Sequence, residues 1–311
     1  MKIRFLQWTD SHGYAVGSNY TNSCIGGIPD LDFAIHTGDV CHSSFSDDSS
    51  YAQLPNSLFV VGNHDAVNSS GIGSLPGGYD DWADQPSPSN LYTKFFQPNV
   101  AKWGVVMNEG ETWWKKRFPE KNLCVVGLDS TTRGQQLVKQ RAFLDKVLKE
   151  CLDNNDKVIF ASHFAEYGIM PVPCCFTYLH HYMHGGQWSD YSGWYPFINE
   201  CMETVANYVN NTGLKVIAWV CGHEHADAFF THRPFPVIVC GSTIIDRWNN
   251  LSRSNENALT SRACMNLYEY DDELDTLRIY RLGADNATGG ARRKMLVYDV
   301  GQRRIVSACS R

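Results

Sequence analysis

The chain has 311 residues, of which 43% are hydrophobic and 19% charged, and its formal net charge is −6. This composition is typical of a globular protein and excludes a disordered chain, and the acidic balance argues against long nucleic acid as a partner. The sequence contains no apolar stretch of membrane-spanning length and no signal-peptide segment, so we expect a cytoplasmic protein that does not bind membranes.

Short apolar runs rich in Val and Ile recur along the chain and predict strands that are covered on both faces. Two longer segments have an amphipathic period and predict helices. The alternation of strands with helices indicates a layered α/β fold. In chain order the predicted strands are 3–8, 33–35, 58–61, 123–126, 158–160, 216–220 and 237–239, and the predicted helices are 135–152 and 196–210.

Two segments, 66–121 and 164–195, interrupt this alternation and are rich in Gly, Pro and aromatic residues. Both begin next to a candidate metal ligand, so we expect them at the rim of the site, where their aromatic side chains either contact substrate or pack against the sheet. Segments 265–279 and 294–306 predict β-hairpins joined by a Gly-rich loop, 283–290. No linker separates them, which predicts a single domain over 1–311 with a C-terminal β-hairpin region at 265–311.

Metal-binding side chains follow directly after five of the predicted strands. In an open α/β sheet the carboxyl ends of the strands line the binding crevice, so groups distant in sequence can meet there. Four His, two Asp and one Asn suit two adjacent divalent cations that keep positions open for water and substrate. The candidate ligands are Asp10, His12, Asp39, Asn63, His163, His223 and His225.

The ordered motifs D-x-H, G-D, G-N-H-D, a lone His and G-H-x-H, spread over residues 10–225, resemble those of the calcineurin-like metallophosphoesterases. The resemblance implies a two-sheet α/β sandwich in four layers and two divalent ions, Mn, Fe or Zn. It implies that Asp39 bridges them. The remaining ligands would be Asp10, His12 and His225 for the first ion and Asn63, His163 and His223 for the second.

The same resemblance implies hydrolysis of a phosphate mono- or diester, such as a small nucleotide, by attack of a metal-bound hydroxide. His64 would protonate the leaving oxygen or stabilise the transition state, a role that suits a side chain titrating near neutral pH. Asp65 could orient His64 or cap the following turn. Phe164, Ala165 and Glu166 stand after His163, where many relatives have a second His and a Pro, which leaves substrate contacts there open.

Two other functions are compatible with the motifs, a metal-containing phosphate-binding module without turnover and a nuclease. The complete ligand set argues against the first, and the lack of Lys/Arg clusters argues against the second. His36 and His42 flank Asp39 and could hydrogen-bond to the ligands, although packing or exposure is the simpler interpretation. A further cluster has no common zinc-finger spacing and is interpreted as rim or packing residues: Cys174, Cys175, His180, His181 and His184.

Overall fold

The structure is a computed structural model. It describes residues 1–13, 15–41, 54, 57–66, 92–132, 134–165, 172, 174, 195–225, 227–243, 264–283 and 294–310. His42, the histidines at 180, 181 and 184, Cys175 and most of segments 66–91 and 164–195 therefore lie outside the described residues.

Within the described residues, one sheet has seven strands in the order β13-β12-β11-β10-β1-β2-β3. Its first part is parallel and consists of β1 (Lys2–Trp8), β2 (Phe33–His36) and β3 (Ser57–Phe59). The rest is antiparallel, with Lys2 of β1 opposite Asp271 of β10. These strands are β10 (Cys264–Asp271), β11 (Thr276–Gly283), β12 (Lys294–Asp299) and β13 (Arg304–Ser310).

The second sheet has six strands in the order β4-β5-β6-β7-β9-β8, again counting only the described part of the chain. Strands β5, β6, β7 and β9 are parallel, and β4 and β8 are antiparallel edges. Their bounds are β4 (Trp114–Phe118), β5 (Leu123–Gly127), β6 (Lys157–Ala161), β7 (Val216–Cys221), β8 (Ala228–Phe230) and β9 (Val237–Val239).

The helices connect the strands. They are α1 (Ala15–Gly27), α2 (Asn63–Ala66), α3 (Gln97–Trp103), α4 (Gly134–Asp153) and α5 (Tyr195–Thr212). A π-helical turn, Tyr92–Phe96, leads directly into α3, and a 3-10 turn, Pro119–Lys121, separates β4 from β5. No described helix is both long enough and apolar enough to cross a lipid bilayer.

Two hydrophobic cores hold these layers together. Residues from both sheets form the first core, in which the rings of Phe5 and Tyr268 stack with centroids 4.4 Å apart. The second core lies between the six-stranded sheet and the helices α4 and α5 and includes Phe160, Leu148 and Val205. The α/β sandwich expected from the sequence is confirmed.

All seven predicted strands and both predicted helices are present, with bounds that differ by at most two residues. Strands β4 and β8 and helices α1, α2 and α3 were not predicted. In the described part of segment 66–121, Trp103, Trp113 and Trp114 are buried, and Trp114 Nε1 donates to the Phe59 carbonyl at 2.7 Å. These tryptophans pack the segment against the sheet, so of the two interpretations packing applies to them. The described cysteines are free thiols.

Candidate metal centre

The five candidate ligand groups meet where the carboxyl ends of parallel strands from both sheets face each other. Asp10 and His12 follow β1, Asp39 follows β2, and His163 follows β6. Gln7 in β1 joins the sheets, since its side-chain amide donates to the Cys221 carbonyl at the end of β7, 2.6 Å away. All seven predicted ligands are therefore brought into one small volume by the packing of the two sheets.

The ligand atoms fall into two groups. In the first, His12 Nε2 lies 3.0 Å from His225 Nε2, which lies 3.3 Å from Asp10 Oδ1. In the second, His163 Nε2 lies 3.0 Å from Asn63 Oδ1 and 3.3 Å from Asp39 Oδ2, and His223 completes the cluster.

Asp39 lies between the two groups. Its Oδ2 is 4.0 Å from His12 Nε2 and 3.3 Å from His163 Nε2, so one carboxylate oxygen faces a histidine of each group. This position is the one that a bridging ligand requires.

The chemistry of these atoms fits metal ions. Two ligands about 2.1 Å from one ion and at right angles lie about 3.0 Å apart, close to the observed separations. Asp10 Oδ2 accepts hydrogen bonds from Thr9 Oγ1 at 2.7 Å and from the His223 N–H at 3.0 Å. Its other oxygen, Oδ1, is buried and accepts no hydrogen bond from the described residues. A buried carboxylate oxygen without a hydrogen bond raises the free energy of the folded state unless a cation binds to it.

Carbonyl oxygens fix the tautomers of two histidines. His12 Nδ1 lies 3.1 Å from the Cys41 carbonyl, and His163 Nδ1 lies 2.7 Å from the Thr37 carbonyl. Because a carbonyl oxygen can only accept, each Nδ1 carries the proton and each Nε2 faces the centre, which is how metal-binding histidines are usually oriented.

Burial and the neighbouring charges set the protonation of these groups. Burial lowers the pKa of His12 to about 3, which keeps its ring neutral. Burial alone would raise the pKa of Asp39, but the surrounding histidines, above all His163, hold it well below its usual value. Burial would lower the pKa of His163, yet the Asp39 carboxylate outweighs it and raises the pKa to about 9. His163 must lose this proton before Nε2 can bind a metal ion.

The backbone at the centre is strained. Five of the seven candidate ligands have left-handed φ angles, a conformation that costs a non-glycine residue roughly 1–2 kcal/mol. Such strain persists only where the surroundings impose it, and it is concentrated at functional sites. The five residues and angles are Asp10 (52°), His12 (46°), Asp39 (58°), His223 (72°) and His225 (52°).

Two glycines allow the close packing of the ligand turns. A Cβ atom on Gly62 would overlap the side chain and backbone N of Asp39. A Cβ atom on Gly222 would overlap Thr9 Oγ1 and lie 2.9 Å from Asp10 Oδ2. Both positions therefore require the absence of a side chain.

Asp65 holds the turn that carries Asp39. Its buried carboxylate accepts four backbone N–H groups, which fills the usual acceptor capacity of a carboxylate. The donors are Asp39 at 2.8 Å, Val40 and Cys41 at 3.0 Å and Gly62 at 2.9 Å. Sequence reasoning missed this role, although the position of Asp65 at the end of G-N-H-D was an available signal.

His36 both packs in the core and hydrogen-bonds to the ligand turns. Its ring lies edge-on to Trp8, with centroids 4.5 Å apart. Its Nδ1 accepts from the Gly38 N–H at 3.2 Å, so Nε2 carries the proton and donates to Ser11 Oγ at 3.0 Å. His36 therefore packs in the core, and its hydrogen bonds go to Gly38 and Ser11, which neighbour the candidate ligands, rather than to the ligands themselves.

His64 lies at the open side of the cluster. Its side chain is 20% exposed, its Nε2 is 3.8 Å from Asp39 Oδ2, and its ring lies 4.6 Å from the ring of His12. The geometry also groups His64 with His12 and Asp39 as atoms close enough to share an ion. The position thus suits either a proton donor or a further ligand.

The sequence model of the calcineurin-like phosphoesterase family matches residues 3–227. The chain belongs to this family. Its members are metal-dependent phosphoesterases, and the match covers all seven candidate ligands and His64, while strands β10 to β13 lie beyond it.

Solved structures that match the chain include those of three bacterial proteins, all with TM-scores below 0.5. A predicted phosphoesterase from Streptococcus pneumoniae has 10% identity and a TM-score of 0.35, over 100% of this chain and 99% of that one. A putative 5'-nucleotidase from Staphylococcus aureus has 11% identity and a TM-score of 0.47, over 93% and 54%. A metallophosphoesterase from Sphaerobacter thermophilus has 11% identity and a TM-score of 0.33, over 91% and 89%. No curated protein matches the chain significantly.

Proposed function

We propose that the chain hydrolyses a small phosphate mono- or diester at a site for two divalent ions. The observation that carries this proposal is the position of Asp39, whose Oδ2 lies 4.0 Å from His12 Nε2 and 3.3 Å from His163 Nε2, between two ligand groups. The first ion would be held by Asp10, His12, Asp39 and His225, and the second by Asp39, Asn63, His163 and His223.

The charges of these ligands suit an anionic substrate. When bound, the two ions would lower the pKa of water toward neutrality and neutralise charge on the phosphate. Asp10 and Asp39 offset only part of the charge of two divalent ions, because Asn63 contributes an oxygen without a charge. The residues present therefore leave a net positive site for a phosphate ester.

His64 would act on the leaving group. It is exposed toward the open side and lies near Asp39, where a substrate phosphate would have to enter. We assign it the transfer of a proton to the leaving oxygen, or a hydrogen bond to the developing charge, which typically contributes about 10²–10⁴ in rate.

Four finer assignments extend the proposal. They are a small nucleotide as substrate, the choice among Mn, Fe and Zn, a cytoplasmic location and a single domain over 1–311. Each stays a prediction. His/Asp/Asn sites accept several of these metals, so availability decides which one is bound.

A metal and substrate screen tests the proposal. The purified protein, loaded in turn with Mn, Fe or Zn, should contain two ions per chain and should cleave p-nitrophenyl phosphate, its bis-ester or a nucleotide. His64→Ala should slow cleavage about 10²–10⁴-fold while two ions remain bound. Loss of one ion in His64→Ala would instead identify His64 as a ligand.

Three outcomes would contradict the proposal. Tight binding of phosphate esters without cleavage under any metal would favour a binding module. A protein that takes up no ions when they are supplied would remove the basis of the hydrolase altogether. Cleavage of DNA in preference to small esters would favour the nuclease.

A further inference from the structure

Strands β11 and β12 of the seven-stranded sheet carry two buried cations near the end of the G-H-x-H loop. Arg281 lies in β11 and Lys294 begins β12, both beyond the region that the family model matches. The Arg281 side chain is fully buried and that of Lys294 is 5% exposed. Both face Asp227, which is fully buried and lies two residues after His225. We call these three residues the Asp227 cluster.

Asp227 is bound from three directions. Arg281 Nη2 donates to Asp227 Oδ1, and Lys294 Nζ lies 3.8 Å from Oδ2. The Gly241 N–H donates to Oδ1 at 2.9 Å, and Arg281 Nη1 reaches Cys240 Sγ at 3.9 Å. The cluster thus connects the end of the G-H-x-H loop, the end of β9 and the strands β11 and β12.

The segment held by Asp227 also holds the turn that carries Asp10. Ser242 Oγ donates to the Asp10 carbonyl at 3.0 Å, one residue after Gly241. Thr243 donates to the Thr9 carbonyl through its N–H at 3.0 Å and through Oγ1 at 2.9 Å. Asp227 is therefore connected to Asp10 through residues 241–243 and to His225 through the chain.

Asp10 and His225 belong to the same ligand group, with Oδ1 and Nε2 only 3.3 Å apart. Each has a left-handed φ of 52°, so its surroundings must impose the conformation. A buried ion pair adds little net stability over apolar side chains, because desolvation of both charges offsets their attraction. An arrangement of this kind is better explained by the geometry it enforces than by stability.

We propose that the Asp227 cluster positions Asp10 and His225 for the first metal ion, so that strands β11 and β12 support the centre. Arg281 and Asp227 are positioning residues in this scheme and contact neither ion nor substrate. The inference rests on the proposed function, since it concerns the affinity of one of the two proposed ion sites.

The chain offers a control for the loss of an arginine–aspartate pair away from the centre, in which the aspartate is buried like Asp227 but the arginine side chain is 39% exposed. Arg117 in β4 donates to Asp156 through Nε at 2.6 Å and through Nη2 at 3.1 Å. Asp156 is buried and directly precedes β6, so this pair lies at the end of the strand opposite His163. Arg117→Met should weaken folding without changing the metal centre.

The experiment compares wild type, Arg281→Met and Arg117→Met as full-length chains. Stepwise titration with Zn²⁺ or Co²⁺ against a chelator gives the affinity of each ion, and the Co²⁺ absorption spectrum reports on ligand geometry. Arg281→Met should weaken one of the two binding steps about 10- to 100-fold, the usual effect of losing a residue that supports a metal ligand. Arg117→Met should keep both affinities and the wild-type spectrum.

A milder variant covers the case in which Arg281→Met does not fold. Arg281→Lys keeps the charge but lacks the planar fork that reaches both Asp227 and Cys240. It should fold and still weaken one binding step. Folded Arg281 variants with wild-type affinities and Co²⁺ spectra would overturn the inference, as would equal weakening in Arg117→Met. If the wild-type protein does not bind two metal ions, the result contradicts the proposed function rather than this inference.

Discussion

Two regions of the six-stranded sheet differ in the kind of side chain that they bury. One is the face covered by helices α4 and α5, and the other is the carboxyl end of β6. Between the sheet and helices α4 and α5 most of the buried side chains are apolar, and Leu148, Phe160 and Val205 fill space there. At the carboxyl end of β6, fully buried side chains are polar or ionisable, as Ser162 and His163 illustrate. Apolar burial in the first region stabilises the fold. That stability offsets the free-energy cost of the buried charges and the strained backbone in the second region.

A single strand serves both regions. In β6, Val158 and Phe160 belong to the core beneath the helices, and Ile159 and Ala161 belong to the core between the sheets. The strand then ends two residues before His163. Because both faces of β6 are anchored by apolar contacts, its end can hold a ligand in a fixed position. Substitutions in the apolar region should therefore change the free energy of unfolding, and substitutions at the carboxyl end should change metal content and activity.

Asp39→Asn should have the largest effect, on activity and metal content rather than on stability. The substitution removes the shared charge from both ligand groups, while an Asn oxygen could still accept the His64 N–H that Asp39 Oδ1 now accepts at 2.8 Å. Metal ions contribute several kcal/mol to phosphoryl transfer, so kcat/KM should fall roughly 10³-fold or more. Mass spectrometry should find fewer than two ions per chain. Two tightly bound ions in the variant would contradict a bridging Asp39.

Leu148→Ala should lower stability and leave activity unchanged. Leu148 is fully buried between α4 and the sheet, so the truncation should lower the free energy of unfolding by about 2–5 kcal/mol. The folded fraction should keep its metal content and its kcat/KM. Urea unfolding followed by circular dichroism gives the stability, and assays far below the midpoint give the activity.

The same helix supplies the control for that prediction. Leu152 is 38% exposed, and Leu152→Ala should change the free energy of unfolding by no more than about 0.5 kcal/mol. If Leu148→Ala reduced metal content as strongly as it reduced stability, the apolar layer and the metal centre would not be separable.

Buried strands and ligand groups could be predicted because they leave local patterns. Strand β7 is six consecutive buried residues followed by Gly222 and His223, and both the apolar run and the motif are readable without a structure. The two unpredicted strands lack such a pattern. In β4, Lys115, Lys116 and Arg117 stand on an edge strand, and β8 has only three residues. Neither length nor periodicity identifies strands of this kind.

The contacts that support the ligands could not be predicted because they join residues far apart in the chain. Asp65 reaches back to the N–H groups of residues 39–41, and Ser242 reaches Asp10 across 232 positions. In the local sequence Arg281 is one charged residue in an alternating strand. Only the packing of β11 places it against Asp227. Left-handed φ angles at Asp and His residues are likewise invisible to periodicity.

The smallest expected effect concerns the strained backbone itself. His225 has a φ of 52°, which glycine adopts without steric cost and alanine does not. Both His225→Gly and His225→Ala remove the ligand, so only the backbone distinguishes them. In protein freed of metal with EDTA, the Gly variant should be more stable than the Ala variant by about 1 kcal/mol, the left-handed penalty less the extra entropy of glycine in the unfolded chain.

At the exposed Val138 in helix α4, the order of stability of the glycine and alanine variants should be the opposite. There Val138→Gly should be less stable than Val138→Ala by about 1 kcal/mol, because glycine is a poor helix former. Urea titrations of the four variants measure both differences. An alanine at 225 as stable as glycine would mean that the backbone relaxes once the histidine is gone. A reversal of sign between the two positions would mean that the surrounding fold, including the contacts of residues 240–243, imposes the left-handed turn before any ion binds.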